Sequence, residues 1–354
     1  MRDVCVVFDR TIFRGMSDVA HTEEKMFIGR IPGNMFTCLP NPEPLPAPQC
    51  MPTLFQWQIE QERRRYEGVA PELLSLQDTD GDTWLHIAVA QGKRALAYML
   101  ASKMANSGAL EIKEHNGQTA FQIAAAANQH LIVGDLLWHG ANVNTRDSWG
   151  RSPLHVCSEK GFYLCLQSIQ ETFSACSHMI DTEVFNYDGL TPLHVAVLSH
   201  NAVENEWRRR AHTFTTDLCQ YQYQYQKMKQ IYVQCVETLL NMGASCTTKD
   251  LKSGRTCLHM AAEEANCQLL NIFLRQPSAL NVVNDKTCGG NTALHIASSL
   301  QNNPSQLEAV IMLMMGGADP TVRNSENELP WQLAPGGPIG ERVRQILGGK
   351  YVDV

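Results

Sequence analysis

The chain has 354 residues, 44% of them apolar and 18% charged, with a formal net charge of −7 and a pI near 5.9. That size allows one large domain or two ordinary ones, and the acidic balance argues against a surface that grips nucleic-acid phosphates directly. No apolar run is long enough to span a membrane, and Asp9 and Arg10 break the short apolar patch of an N-terminus that makes a poor secretory signal.

Residues 1–38 show no clear hydrophobic period, and LPNPEPLPAPQCMP (39–52) carries six prolines. A disordered N-terminal region with a Pro-rich linker is therefore expected over 1–52. TLFQWQIEQERRRYE (53–67) sets Leu54, Phe55, Trp57 and Ile59 ahead of a charged run, which predicts a short capping helix within 53–77. The twelve cysteines, from Cys5 to Cys288, include no CxxC pair, so reduced thiols in an intracellular protein are expected.

From there one phrase recurs: GDTWLHIAV from Gly81, GQTAFQIAA from Gly117, GRSPLHVCS from Gly150, GLTPLHVAV from Gly189, GRTCLHMAA from Gly254 and GNTALHIAS from Gly290. A worn copy, NELPWQLAP, begins at Asn327, and successive starts lie 36, 33, 39, 65, 36 and 37 residues apart. The glycine suits a turn with positive φ, and the hydroxyl two places on (Thr83, Thr119, Ser152, Thr191, Thr256, Thr292) suits a helix N-cap. Pro153 and Pro192 fit the first helical position, where a missing amide is harmless. Leu85, Leu154, Leu193, Leu258 and Leu294 read as buried anchors, and Ala88, Ala124, Cys157, Ala196, Ala261 and Ala297 allow close helix packing. Gly140, Gly243 and the Gly316–Gly317 pair then stop the second helix of a unit.

Turn, helix, helix and glycine stop at this period resemble the ankyrin repeat. The fold class implied is an all-α ankyrin-repeat solenoid of about six to seven helix-turn-helix repeats joined by β-hairpin loops, over residues 78–347, with a short tail at 348–354. The 65-residue interval predicts an insertion at about 203–230 in the fourth repeat. Its Tyr-Gln alternation is compatible with a strand, but an inserted, solvated surface loop is the favoured reading. ERVRQIL (341–347) reads as a worn C-terminal cap.

No catalytic constellation stands out: P-loop, dinucleotide fingerprint, HExxH and GxSxG are all missing. His86, His155, His194, His259 and His295 share one repeat position, where Gln122 and Gln332 replace histidine in two copies. Glutamine makes similar hydrogen bonds but is neither an equivalent base nor an equivalent metal ligand. These histidines are therefore read as structural, with no catalytic residue, metal, cofactor or small-molecule substrate expected.

Function must then lie on the presented surface. The tips differ between copies: Asp80 and Asp82, Asn116 and Gln118, Trp149 and Arg151, Tyr187 and Asp188, Lys252 and Arg255. Trp149 is the most suggestive, either as a binding residue or as packing against a neighbouring hairpin.

The stretches 78–101, 112–133, 149–161, 186–197, 252–266 and 289–301, with LFQWQIEQE (54–62) and ADPTVRNSENELP (318–330), are similar to the nuclear I-kappa-B family. The resemblance implies binding to NF-kappa-B/Rel dimers, preferentially p50-containing ones. It also implies a nuclear coregulator of inflammatory and immune transcription, touching DNA only through the Rel dimer, with the cytoplasm as a second location. Candidate partner-binding residues are Lys113, Glu114, Arg146, Trp149 and Arg151 in the second and third repeats, then Tyr187, Lys252 and Arg255. Arg63-Arg64-Arg65 and Arg208-Arg209-Arg210 would be weak import signals. About 75 residues precede the repeats, fewer than in relatives with a long N-terminal region, so a short isoform or an incomplete product is expected. A cytoplasmic I-kappa-B inhibitor is the rival within the family, disfavoured by the missing DSGxxS motif and acidic tail. A general ankyrin adaptor or scaffold with an unrelated partner is the rival outside it, with an enzyme a distant third.

Overall fold

The computed structural model describes residues 52–175, 179–211 and 218–348. The N-terminal region up to Met51 and the tail from residue 349 lie outside the described residues.

Described residues begin with α1 (Leu54–Arg65) and the single turn α2 (Pro71–Leu74). Helix pairs follow: α3 (Trp84–Ala90) with α4 (Arg94–Met104), α5 (Ala120–Ala126) with α6 (His130–Trp138), and α7 (Pro153–Lys160) with α8 (Tyr163–Ala175). Next come α9 (Pro192–Ala211) with α10 (Leu218–Asn241) and α11 (Cys257–Glu263) with α12 (Cys267–Leu274), followed by the short α13 (Ala279–Val282). The stack continues with α14 (Ala293–Ser298) and α15 (Gln306–Met315), and ends in a 3-10 turn (Pro330–Leu333) and α16 (Pro338–Leu347).

The first helix of each pair starts where the hydroxyl column predicts. Thr83 Oγ1 accepts the His86 amide and Thr119 Oγ1 the Gln122 amide, each from a residue in extended conformation. Proline opens α7 and α9, where its ring presets φ. The leucine column and the small-residue column are both buried to within 1%. A small residue beneath each leucine lets the next helix approach closely, so the stack shares one continuous core, as units too small to bury their own faces require. Helix α1 covers the first pair by laying Phe55 edge-on to Tyr98 at 5.7 Å and burying Ile59.

Two sequence expectations change. Among the described residues no strand forms, and the β-hairpin loops reduce to hydrogen-bonded turns with one isolated antiparallel bridge, Lys113 to Thr119. Their amides are taken up by side-chain acceptors and by carbonyls of the preceding turn, as when the Tyr187 amide donates to Trp149 and that of Leu251 to Gly189, which leaves little for a ladder. The insertion, expected as a surface loop, instead lengthens both helices of the fourth pair: α9 runs 20 residues and α10 runs 24. Tyrosine and glutamine at alternate positions sit on a helix here, because burial against α9 follows a period of three to four, not two. Residues 212–217, which join the two helices, lie outside the described residues.

Candidate partner-binding surface

The repeat histidine is a structural connector, and its atoms show how. Its Nδ1 receives the backbone N–H of the N-cap residue three places earlier: Thr83 at 3.2 Å, Ser152 at 3.1 Å, and Thr191, Thr256 and Thr292 at 3.2 Å each. A nitrogen that accepts an amide proton carries none, so the proton resides on Nε2. Nε2–H then donates to a carbonyl of the following unit: Gln118 at 3.3 Å, Leu190 at 2.9 Å, Thr248 at 3.1 Å, Asp285 at 3.0 Å and Glu328 at 3.2 Å. Gln122 reproduces both bonds, its Oε1 accepting from the Thr119 amide at 2.9 Å and its Nε2 donating to the Thr145 carbonyl at 3.2 Å. Burial pushes all five histidines below their ordinary pKa, His155 to about 4, so the neutral form that makes these bonds prevails. Both ring nitrogens are occupied within the stack. Among the described residues no group of three His, Cys, Asp or Glu could hold a metal ion. The thiols of Cys157, Cys165, Cys235, Cys246 and Cys257 are free and buried, and burial pushes Cys235 up to about 12.

What the fold leaves to solvent is a row of finger-like turns. Most are organised by a side-chain acceptor that the repeat phrase did not reveal, three residues before the glycine position, or four in the case of Asp250 before Gly254. Asp147 Oδ1 accepts from the amides of Trp149 at 3.0 Å and Arg151 at 2.8 Å, and Asn186 Oδ1 accepts from those of Asp188 at 2.9 Å and Leu190 at 3.0 Å. Asp78, Glu114 and Asn324 do the same in their copies. An Asp, Asn or Glu at that offset was the legible signal. The glycine has a second role besides its positive φ. A Cβ on Gly150 would lie 2.6 Å from the Tyr187 ring, and one on Gly189 would lie 2.8 Å from Leu251 Cβ, so each finger seats on the glycine before it.

The expected binding residues fall on four successive fingers. Lys113 is exposed and donates through Nζ to the Arg146 carbonyl at 2.7 Å, while Glu114 is occupied as a turn acceptor. Arg146 is exposed and makes no ion pair among the described residues. Trp149 is 56% exposed, with the Arg151 guanidinium 4.9 Å from its ring centroid. Arg151 of its own finger covers one face of the ring, and the rest meets solvent. Tyr187, 73% exposed, lies beside it, its amide bonded to the Trp149 carbonyl at 3.3 Å. Lys252 pairs with Asp188 of the preceding finger at 2.8 Å. Arg151 and Arg255 are more tightly held than the sequence implied. Arg151 bridges Asp147 at 2.9 Å and Glu159 at 3.1 Å, and Arg255 bridges Asp250 at 3.3 Å and Glu263 at 2.9 Å. In both, the arginine clamps its finger to the first helix of its own unit.

Sequence reasoning passed over Leu251, 67% exposed at the fifth tip, which extends the apolar strip of Trp149 and Tyr187. The two arginine triplets are paired with carboxylates: Arg63 and Arg64 with Glu60, Arg65 with Glu62, Arg208 with Glu264, and Arg209 and Arg210 with Glu206.

Comparison with known proteins agrees with this architecture. A family model of ankyrin repeats matches residues 65–147, 85–172, 122–205 and 228–324. NF-kappa-B inhibitor zeta of Bos taurus is 52% identical over 310 residues, covering 88% of this chain and 43% of that protein. The chain thus spans less than half the length of that relative, to which the motif-level likeness also points. NF-kappa-B inhibitor delta of Mus musculus is 39% identical over 290 residues, 82% of this chain and 84% of that protein. The solved ankyrin repeat domain of Bcl-3, described as a unique member of the IkappaB protein family, superposes with a TM-score of 0.59. It is 30% identical and covers 76% of this chain and all (100%) of the Bcl-3 chain.

Proposed function

Because this chain belongs to the ankyrin-repeat I-kappa-B family, we propose that it binds NF-kappa-B/Rel dimers through its finger surface. In this reading it prefers p50-containing dimers, works in the nucleus as a coregulator of inflammatory and immune transcription, and reaches DNA only through the Rel dimer. The observation that carries the proposal is the strip formed by Trp149, Tyr187 and Leu251 on three successive fingers, each more than half exposed. Large apolar side chains held in a row on rigid turns, with cations beside them, are the composition of a protein-binding hot spot. No described helix is long and apolar enough to cross a membrane, and the proposed partner is a protein.

The test is capture of p50 homodimers by the full chain, compared with the double variant Trp149→Ala/Tyr187→Ala. Arg151 is a poor probe, since a glutamate there would face Asp147 and Glu159 and disturb the finger itself. The aromatic pair makes no ion pair or side-chain hydrogen bond that folding needs, so the variant should melt within about 3 °C of the parent and bind at least about tenfold more weakly. Undiminished capture by the folded variant moves the site elsewhere. Failure of the parent chain to capture p50 at all would favour an adaptor with another partner.

A further inference from the structure

A column of cations runs along the fingers, one residue before each turn acceptor. In successive units that position holds Gln77, Lys113, Arg146, Phe185, Lys249, Lys286 and Arg323. Four of these residues reach to the next residue of the column. Gln77 Nε2 donates to the Lys113 carbonyl at 2.9 Å, Lys113 Nζ to that of Arg146 at 2.7 Å, Lys249 Nζ to that of Lys286 at 3.3 Å and Lys286 Nζ to that of Arg323 at 2.8 Å. The amide of Gln77 makes the same rung as an ammonium, so the stitching does not need the charge. All five cations are nevertheless exposed, and among the described residues only Lys249 forms an ion pair, with Asp285 at 3.5 Å; Lys113 has Glu111 nearby without pairing with it. Off the column, Arg94, Arg151, Arg208, Arg255 and Arg344 each meet a carboxylate.

We propose that this column is a docking surface for an extended acidic protein segment carrying a carboxylate at about every third residue. Helices packed against one another lie ~8–10 Å apart, so one cation per unit recurs at about that interval. An extended chain advances ~3.3 Å per residue, which brings every third side chain into step at ~10 Å. A nucleic-acid strand would bring every third phosphate into step as well, but its two intervening phosphates would face an acidic chain of net charge −7, which favours a segment whose intervening residues are uncharged. Phe185 interrupts the cations at mid-column beside the exposed Tyr187, where an apolar residue of the segment would sit. The rungs hold each lysine in place and leave two ammonium hydrogens for a ligand. At the N-terminal end, Asp78, Asp80 and Asp82 of the first finger set the limit of the surface for any polyanion.

The inference does not rest on Rel binding, because Lys286 and Arg323 lie beyond the fingers assigned to it. The probe is a fluorescein-labelled peptide of about 18 residues, ~60 Å when extended, with glutamate at every third position and leucine and serine between. Its partner is a matched peptide with glutamine for glutamate, and a single-stranded oligonucleotide of equal length serves as the alternative polyanion. Anisotropy with the full chain is compared with the triple variant Lys249→Gln/Lys286→Gln/Arg323→Gln, which keeps donors for the rungs as Gln77 does. The parent chain should bind the glutamate peptide, with affinity falling as salt rises from about 50 to about 200 mM. The triple variant should bind it at least about tenfold more weakly. Four results overturn the proposal: no binding by the parent, equal binding by the variant, equal binding of the glutamine peptide, or tighter binding of the oligonucleotide. The glutamine peptide decides the matter even if the variant folds poorly. Capture of p50 by the same variant, run in parallel, keeps failure here distinct from failure of the Rel reading.

Discussion

His155 and Gln122 perform one task with different chemistry. Each closes the N-cap of its own helix and ties that helix to the next unit. His155→Gln should therefore preserve both bonds and lower stability by less than about 1 kcal/mol. His155→Ala strands the Ser152 amide and the Leu190 carbonyl in a buried site and leaves a cavity, a loss of about 3 kcal/mol. Urea denaturation of the two variants separates these outcomes, and equal losses would remove the peg from the account. Arg151 and Arg255 teach the complementary lesson. Read as tip residues they suggested partner contact, and the structure adds that each is held between two carboxylates of its own unit. Sequence position showed that these side chains lie near the tips but not which way they turn, since the second partner sits eight residues away on a helix.

At the scale of elements, the repeated pairs were legible because caps, anchors and stops recur at a fixed period. The fourth pair was not, because the period fails there and the Tyr-Gln alternation mimics a strand. One signal did point to helix: no glycine or proline occurs between Pro192 and Gly243. The extension is held by its own contacts. Trp207 stacks on Tyr225 at 4.6 Å and 12°, and Glu204 binds Lys229 at 2.6 Å and the Tyr225 hydroxyl. Burial opposes charge on Glu204, but the hydrogen bonds from Lys229 and Tyr225 outweigh it and hold its pKa below the usual range. Arg208 and Asn205 then tie α9 to Glu264, at the end of α11. Trp207→Ala/Tyr225→Ala should therefore loosen only the added turns. Hydrogen exchange should rise in 203–211 and 218–230, with α7, α11 and α14 still protected and the melting temperature lowered by less than about 4 °C. Loss of protection throughout the stack would mean that the extension carries the repeats rather than decorating them.

For the molecule as a whole, stability rests on bonds between neighbours, and the same neutral imidazole makes five of them. Burial lowers the pKa of every one, and also that of His200, which reaches about 4 beside Asn266 in the fourth-to-fifth unit junction. A histidine whose folded pKa lies below its unfolded value of about 6.5 leaves stability untouched at higher pH and lowers it once the unfolded chain begins to bind protons. Stability should thus hold from neutral pH down to about 6.5 and fall steadily towards pH 4, through the window between the two states of His155. Taking 6.5 unfolded and about 4 folded, His155 alone removes about 1.4 kcal/mol at about pH 5.5. Protonation at Nδ1 ejects the amide it accepts, so each event weakens a cap and the tie to the next unit together, and the losses accumulate along the stack. The check is the urea midpoint as a function of pH for the parent and for His155→Gln/His259→Gln. The parent should lose stability across that window and the double variant should lose distinctly less. A midpoint that stays flat from pH 7 to pH 5, or equal slopes for the two proteins, would show that the imidazoles are not what couples acid to unfolding.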